Sequence, residues 1–259
     1  MSKKMPVVFI GHGSPQNITA DNDYTAALVA LGRQLPRPKA IMVVSAHWLT
    51  KGTQVCYAQK PKTIYDFFGF PRELYQVSYP CPGAPAWAET VRSTVRHTAI
   101  RRDDDWGLDH AAWAVLHHMY PEADIPVFEM SLDYSQPGQY HYDLAAELAP
   151  LREQGVLILG SGNIVHNLRT ADFANMAAEP PTWATAFDLA VKTALVSGDH
   201  QRLIDYHHLP EAALAIPTNE HYLPLLYTLA LKTANDRLDF IHESIQNATV
   251  SMRSLIITD

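Results

Sequence analysis

Only two cysteines, Cys56 and Cys81, occur in the 259 residues, and they form no CxxC pair. A chain of this length without a disulfide framework reads as a protein of a reducing compartment, here the cytoplasm. Cations are also scarce: 20 Lys and Arg face 27 Asp and Glu, for a formal net charge of −7, and no basic block exceeds Lys3-Lys4 or Arg101-Arg102. Nucleic-acid binding needs clustered cations to displace counterions from phosphate, so that class is excluded. No apolar run approaches the ~20 residues that cross a bilayer, which argues against a membrane partner. The run behind the N-terminal lysines, Val7 to Ile10, is broken by Gly11-His12-Gly13, so no signal-peptide core is expected.

Several catalytic signatures are missing as well. There is no Gly-x-Ser-x-Gly elbow for a serine hydrolase and no His-Glu-x-x-His helix for a zinc protease. Gly11-x-Gly13 and Gly160-x-Gly162 open like dinucleotide fingerprints, but Gln16 and Val165 stand where the third glycine belongs, and no Walker lysine follows.

What remains is a globular composition, 47% hydrophobic and 18% charged, with 13 histidines. Short β-branched runs alternate with helical patterns, the signature of an α/β domain with a central, mostly parallel sheet flanked by helices. Val7 to Ile10, Ala40 to Val44, Pro126 to Met130 and Val156 to Leu159 read as buried strands because each is a continuous apolar run. Apolar residues at three- and four-residue steps predict helices over 23–35, 84–96, 109–120, 139–154, 181–197 and 219–232. The stretch from 238 to 257 reads as two strands joined near Gln246-Asn247, and 177–181 as a surface loop. With no repeat, low-complexity tract or linker, residues 1–259 are expected to form one domain.

Histidine is the commonest metal ligand and titrates near neutral pH, so its placement carries the functional reading. His12 follows the first strand between two glycines, and His47 follows the second in Ser45-Ala46-His47-Trp48. His166 follows a third strand in Gly160-Ser161-Gly162-Asn163-Ile164-Val165-His166. Parallel strands would bring all three to the carboxyl rim of the sheet, where open α/β folds bind ligands. His221, beside Glu220, and His110, after Asp109, each sit at a predicted helix start. Neutral imidazoles converging on one crevice suit zinc or iron, and an added carboxylate would give the facial arrangement of non-haem Fe(II) oxygenases. His97, His117, His118, His141, His200, His207, His208 and His242 lack such settings and are expected to be structural or exposed.

Taken together, Gly11-His12-Gly13-Ser14-Pro15, Ser45-Ala46-His47-Trp48, Tyr65-Asp66-Phe67-Phe68-Gly69-Phe70-Pro71, Gly107-Leu108-Asp109-His110, Gly160 to Leu168 and His221-Tyr222-Leu223-Pro224 resemble motifs of one family. It is the 4,5-DOPA extradiol dioxygenases, members of the class III superfamily that contains the catalytic subunit of protocatechuate 4,5-dioxygenase. The resemblance runs from about residue 6 to the C-terminus. It implies a single α/β catalytic domain, an oxidoreductase that opens a catechol such as L-DOPA with O₂ and uses a non-haem metal, Fe(II) for turnover. It carries over His12 and His47 as metal ligands, His221 as the third with Glu220 as its neighbouring alternative, and His166 as either an acid/base group or a fourth ligand. His110 matches a further active-site histidine. Zinc binds such donors more tightly than Fe(II), so zinc is the other metal to expect. Tyr65, Phe67, Phe68, Tyr79 and Tyr222 are the aromatic candidates either for the pocket of a catechol ring or for core packing. The same histidines also leave open a zinc-dependent hydrolase or amidase, and a non-enzymatic binding protein of the Memo type.

Overall fold

The computed structural model describes residues 4–259. Strand β1 (Val7–Gly11) is buried throughout, and alternate residues feed two cores, Val7 and Phe9 on one face and Val8 and Ile10 on the other. A strand covered on both faces must be apolar at every position, which is why continuous hydrophobic runs mark the centre of the sheet. Helix α1 (Asp23–Gln34) follows, started by a reciprocal cap in which Asn22 accepts from the Thr25 amide and Thr25 Oγ1 accepts from the Asn22 amide.

The chain continues through β2 (Ala40–Thr50), β3 (Gln54–Cys56), α2 (Pro85–Thr94), β4 (Arg101–Asp103), α3 (His110–Met119) and β5 (Val127–Asp133). Next come α4 (Gly138–Ala146), α5 (Ala149–Gln154), β6 (Val156–Gly162), α6 (Thr182–Ser197), α7 (His200–Ile204), α8 (Ala212–Ala215) and α9 (Leu223–Ala230). Four strands close the chain: β7 (Arg237–His242), β8 (Ile245–Gln246), β9 (Val250–Ser251) and β10 (Ser254–Thr258). Eight of the strands form one sheet in the order β4-β3-β5-β2-β6-β1-β10-β7. The centre is parallel, with β2 and β1 both pairing β6, while β10 adds to β1 and β7 to β10 in antiparallel sense. Helices α1 and α3 cover one face and α4, α6 and α9 the other, each over its own core.

Three expectations need correction. The helix expected over 139–154 is two, α4 and α5, because Pro150 has no amide to continue the first and instead sits in the opening turn of the second. The helix expected from 219 begins only at Leu223, with Pro224 in its first turn, so 219–222 is free to run as a turn. The C-terminal pair is there, but as β7 against β10 with a smaller β8–β9 hairpin between them. Its turn lies where expected, closed by Asn247 and Ala248 at φ 51° and 65°.

Candidate metal centre

The parallel pairing of β1, β2 and β6 sets three chain ends side by side, with Gly11 opposite Gly162 and Ser45 opposite Ser161 as the last partners. His12 leaves β1 at this point, its amide donating to the Gly162 carbonyl at 3.1 Å. His47 is delivered differently. Strand β2 is in register with β5 up to Val44 opposite Met130 and resumes at Leu49 opposite Leu132, so the residues between bulge out of the ladder and carry His47 with them. His221 arrives from the turn before α9, which lies directly on β6: the Asn163 amide donates to the His221 carbonyl at 2.8 Å. Only glycine permits this approach, since a Cβ on Gly162 would strike that same carbonyl oxygen.

The three rings meet. His47 Nε2 lies 3.3 Å from His12 Nε2 and 3.3 Å from His221 Nε2. Behind the rings, each Nδ1 has its own acceptor. His47 Nδ1 is 2.9 Å from Asp66 Oδ2 and His221 Nδ1 is 3.0 Å from Glu220 Oε1. His12 Nδ1 is 3.1 Å from Ser161 Oγ, whose own hydrogen goes to the Ala111 carbonyl at 2.6 Å, so the serine accepts. Each Nδ1 therefore carries the hydrogen, and three Nε2 lone pairs face one another. Lone pairs at this separation repel, and only a positive charge among them stabilises the arrangement. An N₃ donor set of neutral imidazoles, each oriented by a hydrogen bond at its other nitrogen, fits a divalent metal such as zinc or iron.

For two of the three rings the electrostatics favour the neutral form. Burial, reinforced by the neighbouring imidazoles, holds His12 and His221 well below the ordinary histidine range. Burial pulls His47 the same way, but Asp66, Asp109 and Glu220 overcome it and raise it. Burial would lift the Asp66 carboxyl, yet the His110 and His47 N–H groups drive it far below the usual carboxylate range.

Two further histidines border the centre. His110 is the first residue of α3, capped by Asp109, and its ring stands 4.3 Å from His47 in an edge-on arrangement. Its amide donates to Asp66 Oδ1 at 2.8 Å and its Nδ1 to Asp66 Oδ2 at 2.9 Å. His166 lies flat on His221, and burial lowers it to about 4.

Above the five histidines opens a cleft of 790 Å³. Phe67, Phe68, Phe70 and Phe173 form its aromatic walls, with Leu168 and Arg169 on one side and Pro217 and Thr218 on another. Phe68 is 90% exposed, so it stands at the rim rather than in the core.

A family model described as the catalytic LigB subunit of aromatic ring-opening dioxygenase matches residues 5–257. The chain belongs to this family. It is 43% identical to the 4,5-DOPA dioxygenase extradiol of Escherichia coli K12 over 99% of this chain and 96% of that protein. It is 37% identical to the 4,5-DOPA dioxygenase extradiol of Beta vulgaris over 96% of this chain and 95% of that one. A crystal structure of an uncharacterized protein from Escherichia coli K12 superposes with a TM-score of 0.85 at 39% identity, covering 98% and 99% of the two chains. The mixed, mostly parallel α/β fold expected from the sequence is thus shared with that Escherichia coli protein.

All five histidines singled out in the sequence, His12, His47, His110, His166 and His221, line the cleft of this LigB-family chain. Glu220 lines it too, behind His221, with Thr218 Oγ1 donating to its Oε1 at 2.9 Å. Of the aromatic candidates only Phe67 and Phe68 line the cleft. Tyr79 and Tyr222 are core residues whose hydroxyls donate to the Tyr120 and Leu203 carbonyls, and Tyr65 donates to the Val77 carbonyl outside the cleft. Three contributors escaped sequence reasoning. Asp66 and Ser161 sit inside quoted motifs, but nothing local shows that they hold imidazoles. Phe173 lies in no motif at all. Glu129, buried beneath this layer, accepts from Trp106 Nε1 at 2.9 Å and from the Asp109 amide at 2.8 Å. Burial and the adjacent Asp109 push its carboxyl well above the ordinary range. His141, by contrast, is the structural histidine expected, buried with Nδ1 3.1 Å from Tyr227 Oη.

Proposed function

We propose that this chain is a non-haem, metal-dependent extradiol dioxygenase that uses O₂ to open a catechol such as L-DOPA, by 4,5-cleavage to a muconate semialdehyde. The observation that carries the reading is the convergence of three Nε2 lone pairs on the floor of an aromatic-walled cleft of 790 Å³. His12, His47 and His221 are the ligands in this reading, and Glu220 orients His221 instead of replacing it. When bound, Fe(II) supplies one-electron chemistry that couples a singlet catechol to triplet dioxygen, which zinc cannot do.

The protein's own residues do the rest. Phe67, Phe68 and Phe70 offer apolar faces to a planar ring and keep water from it. His166, held neutral by burial, offers a lone pair to a catechol hydroxyl; the same lowering makes it a weak base toward a free catechol and a ready proton donor once it is charged. His110 borders the same space and hydrogen-bonds the substrate. Two carboxylates in the cleft, Asp66 and Glu220, are both committed to imidazole N–H groups, so neither competes with His166 for the catechol hydroxyl.

The test is oxygen uptake with L-DOPA and a panel of simple catechols, after stripping the metal and reloading anaerobically with Fe(II), beside a zinc-loaded control. Stoichiometric consumption and a yellow ring-opened product in the iron sample alone is the expected result. No uptake with confirmed iron occupancy transfers the weight to a zinc hydrolase or a binding protein.

A further inference from the structure

We propose that Asp66 is a positioning residue that fixes the imidazole tautomers of His47 and His110 together, so that His110 offers its cleft neighbours a bare Nε2, an acceptor and not a donor. The role it gives to His110 rests on the ring-opening reading; the clamp itself is a property of the chain alone.

One carboxylate here faces three N–H groups: it accepts hydrogen bonds from the His110 amide and from His110 Nδ1, and His47 Nδ1 stands at ion-pair distance from the same oxygen. Oδ2 lies 2.9 Å from His47 Nδ1 and 2.9 Å from His110 Nδ1, and Oδ1 accepts the His110 amide at 2.8 Å. A carboxylate only accepts, so both Nδ1 atoms must carry hydrogen. Each neutral ring then has its lone pair on Nε2. For His47 that lone pair belongs to the metal centre. For His110, Nε2 makes no hydrogen bond to any described residue, while the ring lines the cleft.

Ser161 and Glu220 each orient one ring, whereas Asp66 orients two from different elements, the bulge of β2 and the first turn of α3. Its own placement is fixed from outside the centre. The Ile64 amide donates to the Leu108 carbonyl at 2.8 Å, and Trp113 Nε1 donates to the Ile64 carbonyl at 2.8 Å. The segment carrying Asp66 is thus pinned to the start of α3, between the two rings that it faces.

The consequence is chemical. A ring with a bare Nε2 accepts a hydrogen bond from a catechol hydroxyl, and it discriminates against a ligand that presents only lone pairs at that position. Asparagine has the shape of aspartate but cannot serve three donors: whichever way the amide turns, its NH₂ meets an N–H.

The decisive measurement is the two-bond ¹H–¹⁵N correlation spectrum of histidine-labelled, zinc-loaded protein, which reports the tautomer of each ring without any turnover. His110 is expected as the Nδ1–H form in the wild type, and Asp66→Asn is expected to convert it to the Nε2–H form or a mixture. The same variant should weaken zinc affinity about 10- to 100-fold through His47. Wild-type His110 found protonated at Nε2 overturns the proposal before any variant is made, and so does an Asp66→Asn protein with both tautomers unchanged. Because no substrate is involved, either failure leaves the ring-opening reading standing. A correct tautomer in a protein that turns over no catechol refutes that reading and keeps the clamp.

Discussion

His166 lies flat against His221, with ring centroids 3.4 Å apart and planes 10° from parallel. The contact braces a ring whose Nε2 faces the metal centre, and it separates two roles that one histidine could fill, since a stacked ring braces whether or not its nitrogens act. Replacing His166 by Phe keeps a flat ring and removes the nitrogens. Metal content after dialysis is expected to be unchanged, while turnover of an iron-loaded sample falls about 10²- to 10⁴-fold, the usual worth of a proton-transfer group. Loss of metal in that variant would make His166 a ligand, and full turnover would end its proton role.

The ligand set is tested by single replacements. His12→Ala, His47→Ala and His221→Ala should each abolish retention of stoichiometric metal. Glu220→Gln should keep the metal with affinity lowered about 10- to 100-fold, as expected for a group that orients a ligand. Metal analysis of the purified variants decides it: a Glu220→Gln protein as empty as His221→Ala would move the glutamate into the coordination set.

Gly162 makes room for the His221 carbonyl, and Gly162→Ala places a methyl against backbone that the Asn163 amide already holds. Overpacking of this kind costs about 1–3 kcal/mol. Here the damage should concentrate on the turn that carries His221, so metal affinity should drop more than a denaturation midpoint accounts for. A variant with native metal affinity contradicts the placement of that turn.

Phe68 is almost fully exposed at the rim of the cleft, so Phe68→Ala should leave stability within about 0.5 kcal/mol, as for surface positions generally. Its effect should fall on the catechol KM, which is expected to rise several-fold. An unchanged KM for every catechol tested would return Phe68 to the plain surface.

His141 gives a pH dependence separable from the metal centre. Burial lowers it from 6.5 to about 4, so the folded state favours the neutral ring. The stability this contributes is complete above the unfolded value and is lost as pH falls through the window between the two, at about 1.4 kcal/mol per pH unit for the group. Urea midpoints followed from pH 7.5 downward should therefore fall more steeply for the wild type than for His141→Gln. Parallel slopes for the two proteins would show that the ring is not held neutral.

Much of this molecule is legible before folding. The continuous apolar runs at Val7 to Ile10 and Val156 to Leu159 announce strands buried on both faces, and they are β1 and β6 at the centre of the sheet. His12 and His166 are legible because each follows a buried strand that ends in glycine, His47 because it follows the apolar run that opens β2, and His221 only from its motif before a helix. The helix expected from 219 fails for a related reason. Local periodicity continues through the turn, and only contact with β6 reveals that the turn exists to deliver His221.

The amino-acid order therefore settled the layered fold and its parallel centre, and it singled out the five histidines that line the cleft, because hydrophobic period and strand termini are local properties. Packing alone decided the rest: that His12, His47 and His221 point Nε2 inward, that Asp66 serves His47 and His110 at once, that Phe173 joins the cleft and that Tyr79 and Tyr222 do not. Those facts depend on which of two ring nitrogens meets a partner supplied by a distant segment. Asp66 is 44 residues from His110, and Ser161 is 149 from His12. Orientation of this kind belongs to pairs of residues brought together by the sheet, and no local pattern of either partner encodes it.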